Sequence, residues 1–201
     1  MPENINQKIR QTPLQQAGVE TRKHVTETLK LQEISDLFLI RLHSLPTAGS
    51  SELDLPVETG QCSGDDPVAL CLRPRDWLLI SGETSAEMLL SQFRNVINEN
   101  QTAVVDQSDG LGVFRLSGPG APWLLSKLSG LDFLAGKNHG EHCARTKMGH
   151  IAVIVHYHQR AGDDFVFDLV FDRSVARYFW LLLTESSAHA DELTKTFGDH
   201  Y

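Results

Sequence analysis

The side chains best able to do chemistry are the histidines of the second half. His139, His142 and Cys143 lie close together, with His150, His156 and His158 following. His156 and His158 stand two apart in an apolar run, so on a strand they face one way, as two ligands of one ion must. His139-Gly-Glu-His142-Cys143 falls in a loop, lacks the helical H-E-x-x-H spacing, and has no carboxylate placed to fix an ion. Exposed strand and loop histidines are the plainer reading, and the expectation is a chain without a metal site. A metal-dependent enzyme is the competing class, and it would draw on the His139, His142 and Cys143 cluster.

Other constellations are weaker. Ser117-Gly118-Pro119-Gly120 puts backbone N–H groups at a helix start, where anions are favoured. It lacks the lysine of a Walker loop and the third glycine of a dinucleotide fingerprint, and it follows a strand of antiparallel type. It reads as a strand-to-helix turn, with Pro119 at the helix entrance and glycines supplying conformational freedom. There is no G-x-S-x-G elbow, and Cys62, Cys71 and Cys143 have no neighbours that would lower a thiol pKa. Asp65-Asp66 and Asp163-Asp164 are adjacent carboxylates at turns, solvated rather than paired across a cleft. Arg73 and Arg75, flanking Pro74, either hold a carboxylate or a neighbouring subunit or are solvated turn charges. No residue is therefore assigned a catalytic, cofactor-binding or metal-binding role.

Composition narrows the class. The chain has 201 residues, 41% hydrophobic and 22% charged, with 18 basic against 26 acidic side chains and a net charge of −8. Net acidity argues against nucleic acid, which wants Lys and Arg in excess on one face. The longest apolar runs are Ile151 to Val155 and Phe179 to Leu183, well short of the ~18 residues a membrane helix needs. No N-terminal apolar stretch resembles a signal peptide, so a cytoplasmic protein that engages no membrane is expected. Three cysteines without a C-x-x-C pair are neither a disulfide scaffold nor a cysteine zinc site, and they read as reduced, mostly buried thiols.

The elements that would position these residues follow from hydrophobic periodicity. Residues 1–27 are polar and read as an N-terminal arm, punctuated only by Pro13-Leu14. Residues 28–105 form a first α+β half: a strand alternating at Leu29 and Leu31, a buried strand over Leu37 to Leu42, and a long loop over 44–67. Strands at Val68–Leu72 and Trp77–Ile80 follow, then a helix over about 85–98 with Thr84 and Glu87 as its capping box. Ala103 to Val105 is a short strand closing this half.

Residues 106–186 repeat the grammar. They hold a strand at Val113–Leu116, a helix carrying Trp123 to Leu128 with Gly130 as its C-cap, a loop, and strands at Ile151–Tyr157 and Phe165–Phe171. The half closes with a helix capped by Asp172-Arg173-Ser174. Residues 187–201 read as a polar C-terminal tail. Trp77-Leu78-Leu79-Ile80 with its following helix parallels Phe167-Asp168-Leu169-Val170-Phe171 with its own. The expected fold is α+β, two similar strand–helix halves forming antiparallel sheets with helices packed on one face.

Four segments in order carry a resemblance. They are Leu72-Arg73-Pro74-Arg75-Asp76-Trp77-Leu78-Leu79, Phe114-Arg115-Leu116-Ser117-Gly118-Pro119-Gly120-Ala121, Cys143-Ala144-Arg145-Thr146 with Met148-Gly149, and Phe167-Asp168-Leu169 with Arg173-Ser174-Val175-Ala176 and Phe179-Trp180. Together the chain resembles the gamma subunit of heterotetrameric sarcosine oxidase over about residues 12–185. Thr12-Pro13-Leu14 and the Thr28 to Glu33 strand are similar to that family's N-terminus.

The resemblance implies a fold related to the folate-binding domains of the glycine cleavage T-protein superfamily. It also implies a complex with alpha, beta and delta subunits that oxidises sarcosine to glycine with oxygen, releases hydrogen peroxide and passes the methyl carbon to tetrahydrofolate. FAD, FMN and NAD would belong to alpha and beta, zinc to delta, and no cofactor to this chain, which would serve assembly. The arm and the 44–67 loop are then the interface candidates, ordering on the flavin-carrying subunit, while Trp77, Trp123 and Trp180 pack in cores. A stand-alone folate-binding module is the alternative, although the K-G-C-Y-x-G-Q-E signature of such relatives is absent.

Overall fold

The computed structural model describes residues 11–45, 55–96, 102–133, 140–161 and 164–197. Along these residues the elements are α1 (Pro13–Gln16), β1 (Lys23–Val25), β2 (Lys30–Ile34), β3 (Phe38–Ser44), β4 (Cys62–Ser63), β5 (Val68–Arg73) and β6 (Asp76–Ser81). Then come α2 (Ala86–Val96), β7 (Thr102–Asp106), β8 (Leu111–Ser117), α3 (Ala121–Leu128), β9 (His142–Met148), β10 (Ile151–Ala161), β11 (Asp164–Asp172) and α4 (Ala176–Phe197). A short 3-10 turn at Arg173–Val175 leads into α4, and Asp172 caps it by accepting the Ser174 N–H at 2.9 Å.

Strand parity sorts the side chains into layers. Phe165, Phe167, Leu169 and Phe171 of β11, with Val153, Val155 and Tyr157 of β10, face α3 and α4 and bury Leu124, Leu125, Phe179, Trp180 and Leu183. The alternate residue Val170, with Val113, faces the other sheet and meets Leu39, Leu70, Leu78 and Ile80. Beyond that sheet, Ile40, Leu42, Trp77 and Leu79 pack under Ala86 and Leu89 of α2. The result is four layers: helices, a six-stranded sheet, a five-stranded sheet, and a helix. Both sheets are antiparallel throughout their described pairings. This is the α+β fold expected from the sequence.

The strand orders expose the duplication. The six-stranded sheet runs β1-β2-β8-β11-β10-β9 and the five-stranded sheet β4-β5-β6-β3-β7. Reading β3 to β6 against β8 to β11 gives the same order in each sheet, and β2 takes beside β8 the place that β7 takes beside β3. The second half thus borrows a strand from ahead of the first. Leu31 of β2 is fully buried against α3 and α4, so the hydrophobic face of β2 is satisfied only in the sheet contributed mainly by residues beyond 106.

Several boundaries differ from the sequence reading, each for a physical reason. Residues 142–148, expected as loop, form β9. Only Cys143 and Met148 are buried along it, because an edge strand carries charged residues on its open side. Residues 187–197, expected as polar tail, extend α4. Their buried positions are Ser187 and Ala190, continuing from Ser186, small residues that a hydrophobic pattern passes over. The described part of the arm is docked: Leu14 is fully buried, Thr12 Oγ1 donates to Glu33 Oε2 at 2.6 Å, and the Leu14 N–H donates to Glu33 Oε1 at 2.8 Å. Helix α2 is capped by Ser85, which accepts the Met88 N–H at 3.3 Å, rather than by Thr84. Helix α3 ends at Ser129 in extended backbone, so Gly130 is not a left-handed cap. The arm before residue 11, the loop over 46–54, Ile97 and Asn98 of the expected helix, and residues 198–201 lie outside the described residues.

Candidate functional site

The ionisable side chains that the fold buries, Asp76, His156 and Asp168, lie between the two sheets. Register places Arg115 of β8, Asp168 of β11, His156 of β10 and Cys143 of β9 in one cross-strand row, on the face that looks toward the five-stranded sheet. The neighbouring row on that face, Val113, Val170 and Ile154, is apolar. Asp168 is almost fully buried and takes a bidentate pair from Arg115 (Nε and Nη2, each 2.7 Å) together with a contact to His158 Nε2 at 2.8 Å. Burial opposes its ionisation, yet the hydrogen bonds from Arg115 and His158 outweigh that and hold its pKa down at about 2. Asp168 is therefore a fixed anion that orients two cationic or polar partners.

His156 stands beside it with 1% of its surface exposed. Its Nε2 contacts the Glu141 carboxylate, and its ring lies 4.1 Å from that of His158. Burial lowers the His156 pKa below the ordinary imidazole value, and the hydrogen bond from His156 holds Glu141 below the ordinary carboxylate value. Glu141 and His158 reach the surface at 34% and 30% side-chain exposure. The cluster thus opens to solvent at one end and is sealed at the other.

A related pair sits on the facing sheet. Asp76 of β6, 1% exposed, is bridged by Arg41 of β3 (Nε to Oδ1, 2.6 Å) and by Arg73 (Nε to Oδ2, 2.7 Å). Arg41 within Ile40-Arg41-Leu42 and Arg115 within Phe114-Arg115-Leu116 each sit between two core residues, but Arg115 stands directly across from Asp168, whereas Arg41 stands across from Leu78 and reaches Asp76 diagonally. Each half thus carries an arginine on the strand beside its β2 or β7 position, bound to an aspartate on the next strand. An arginine set between two core residues was the available sequence signal for both pairs.

The residues singled out from sequence distribute as follows. His142 and Cys143, adjacent on β9, point to opposite faces: His142 Nδ1 contacts the Gly140 carbonyl at 3.1 Å and packs on Tyr157, whereas Cys143 enters the inter-sheet core. His150 is exposed in the β9–β10 turn, and His139 lies outside the described residues. The cysteines are free, and contact with Cys143 together with burial pushes the Cys62 thiol strongly up, so it is protonated. Arg73 answers its own Asp76, and Arg75 Nη1 donates to the Leu45 carbonyl at 2.9 Å. Asp66 accepts the Glu83 N–H at 2.7 Å, while Asp163 is outside the described residues.

The Ser117–Gly120 turn is a packing device. A Cβ on Gly118, whose φ is +112°, would strike the Thr28 carbonyl, and one on Gly120 would strike the Thr28 hydroxyl. Thr28 is in turn held by Asp191 of α4, which accepts its N–H at 3.1 Å and the Thr26 hydroxyl at 2.6 Å. The glycines let the β1–β2 turn seat directly on the entrance to α3.

Two facing antiparallel sheets with outer helices and a repeated strand order define a duplicated α+β domain. The solved aminomethyltransferase T of the glycine cleavage system from Bartonella henselae superposes with a TM-score of 0.57 at 14% identity, covering 78% of this chain and 45% of that one. A heterotetrameric sarcosine oxidase from Corynebacterium sp. U-96, solved with pyrrole 2-carboxylate, contains a chain that superposes with a TM-score of 0.74 at 22% identity, covering 91% of this chain and 97% of that one. At these identities the superpositions establish the fold. No curated protein matches the chain directly by sequence. The family model of the sarcosine oxidase gamma subunit family matches residues 46–189. The chain belongs to that family.

Proposed function

We propose that this chain is the gamma subunit of a heterotetrameric sarcosine oxidase and serves to assemble and hold the complex. The observation that carries the reading is the gamma-subunit family match over residues 46–189. It is supported by a fold that spans 97% of a chain in a solved heterotetrameric sarcosine oxidase. The partners are alpha, beta and delta subunits in the cytoplasm. The complex converts sarcosine, tetrahydrofolate and oxygen to glycine, 5,10-methylenetetrahydrofolate and hydrogen peroxide. FAD, FMN and NAD reside on alpha and beta and zinc on delta, while the catalytic work lies outside this subunit. In keeping with a scaffold role, the polar residues between its sheets are engaged with one another, and its helices pack inward on their own cores. No helix among the described residues is long and apolar enough to cross a membrane.

Affinity capture of the tagged chain from its native lysate tests this. The expected eluate is yellow, contains four polypeptides and makes peroxide from sarcosine. A colourless chain without partners would overturn the reading and bring forward a stand-alone folate-binding module, checked by titrating that chain with tetrahydrofolate.

A further inference from the structure

The geometry points to a binding site for a divalent transition-metal ion, of the zinc type, held by His156, His158 and Glu141 at the solvent-facing end of the inter-sheet cleft. One donor atom from each of these residues lies within 4.8 Å of the other two. His156 and His158 come from β10, and Glu141 directly precedes β9, the strand that a hairpin pairs with β10. Tyr157 pairs with His142, the residue after Glu141, and Glu141 reaches the His156 ring at this end of β10. His156 and His158 share a face because they are two apart on β10.

A second observation concerns His156 itself. Its Nδ1 is buried and has no hydrogen-bond partner, while its Nε2 is engaged by Glu141. A neutral imidazole offers one N–H and one lone pair. With the proton on Nε2, a lone pair is orphaned in the interior. With the proton on Nδ1, an N–H is orphaned there and two acceptors face each other at Glu141. Either tautomer leaves a polar atom buried and unsatisfied, which is unfavourable. An ion shared by His156 and Glu141 takes the Nε2 lone pair in the second tautomer and removes the acceptor–acceptor clash there.

The surroundings have the form that such ions use. Metal-bound imidazoles are commonly held by a carboxylate on their other nitrogen, which fixes tautomer and ring orientation. Asp168 holds His158 in this manner at 2.8 Å, and Arg115 holds Asp168 in place with two bonds of 2.7 Å. Arg115 is thereby committed to Asp168, and the two imidazoles are what bears on the Glu141 charge. Two imidazole nitrogens and one carboxylate oxygen are a donor set for zinc or iron(II) and not for magnesium or calcium, which prefer oxygen throughout. Partial exposure of Glu141 and His158 gives the ion an entry path and leaves room for water in the remaining coordination positions.

The test compares the full chain with Glu141→Gln, His158→Gln and His156→Ala variants after chelator treatment, by calorimetric titration with zinc chloride. Cobalt(II) absorption reports the coordination. The first two variants alter partly exposed side chains and keep the fold, which circular dichroism verifies. The expected result is one zinc per chain, no saturable response to magnesium chloride, and cobalt d–d bands. Each ligand substitution should weaken zinc binding by about 100-fold or more, beyond the 10–100-fold typical of an orienting residue. Zinc should also raise the melting temperature of the wild type and not of the variants. Because the readout is the difference between wild type and variant, metal on partner subunits cancels if the chain is taken in its complex. Absence of saturable binding would overturn the site, as would zinc binding of the same strength in Glu141→Gln and His158→Gln.

Discussion

Substituting Asp191 by alanine probes a connection that joins the two ends of the described chain. Asp191 lies on the part of α4 beyond residue 187, and its carboxylate accepts the hydroxyls of Thr26 and Thr28 and the Thr28 N–H. Hydrogen bonds to an ionised carboxylate are worth about 1.5–3 kcal/mol each when isolated from water. This carboxylate is half-buried, so solvent screening reduces their combined value to about 2–3 kcal/mol. For a domain of this size that is a fall of about 7 °C in melting temperature.

The pH dependence supplies the sharper test. Burial works against ionisation of Asp191, but the bonds from Thr26 and Thr28 outweigh it and lower its pKa. A carboxylate lowered in the folded state contributes stability that is complete above its unfolded value of about 3.9 and is lost as pH falls through the folded value. Urea unfolding followed by tryptophan fluorescence should therefore show the full gap between wild type and Asp191→Ala at pH 7. The gap should narrow as pH drops below about 4. Glu192→Ala, one residue along with an 81% exposed side chain, should change stability by no more than about 0.5 kcal/mol. A loss in Asp191→Ala no larger than this control would refute the reasoning, and so would a gap unchanged at pH 3.

Three further substitutions have defined outcomes. Phe114→Ala removes a fully buried ring with centroids 4.3 Å from Phe171, 5.3 Å from Trp180 and 5.7 Å from Phe179. The expected cost is about 4 kcal/mol in denaturant unfolding, and a cost below about 1 kcal/mol would mean the core closes over the void. Gly118→Ala combines a backbone conformation disfavoured for L-residues with a collision against the Thr28 carbonyl, so a loss of about 3 kcal/mol is expected, with Gly130→Ala, which meets open space, as the neutral control. Asp76→Asn leaves Arg41 and Arg73 around a neutral amide, with an expected loss of about 2–4 kcal/mol by thermal melting. Equal stability of wild type and variant would show the inter-sheet pair to be solvated.

Residues that alternate or repeat at helical spacing declared themselves in the sequence. Phe165, Phe167, Leu169 and Phe171 define a strand face unaided, and Leu89 with Leu90 defines a helix face. Asp172-Arg173-Ser174 marks a helix start because a short acceptor side chain before a hydrophobic run has few other uses. The duplication is also present as repeated strand–turn–helix order. What composition could not convey is which sheet a strand joins. β2 has the alternation of any half-buried strand, and only the unfilled position beside β8 decides its partner. β9 and the end of α4 were obscured because an edge strand needs charge and a close helix contact needs serine and alanine. In the cluster of Glu141, His156, His158, Asp168 and Arg115 only the two histidines share a spacing; Arg115, Asp168 and Glu141 come from β8, from β11 and from the residue before β9. Local chemistry writes periodicity into a sequence, whereas register between distant strands is set by which buried faces fit, and that choice is made only when the sheets close on one another.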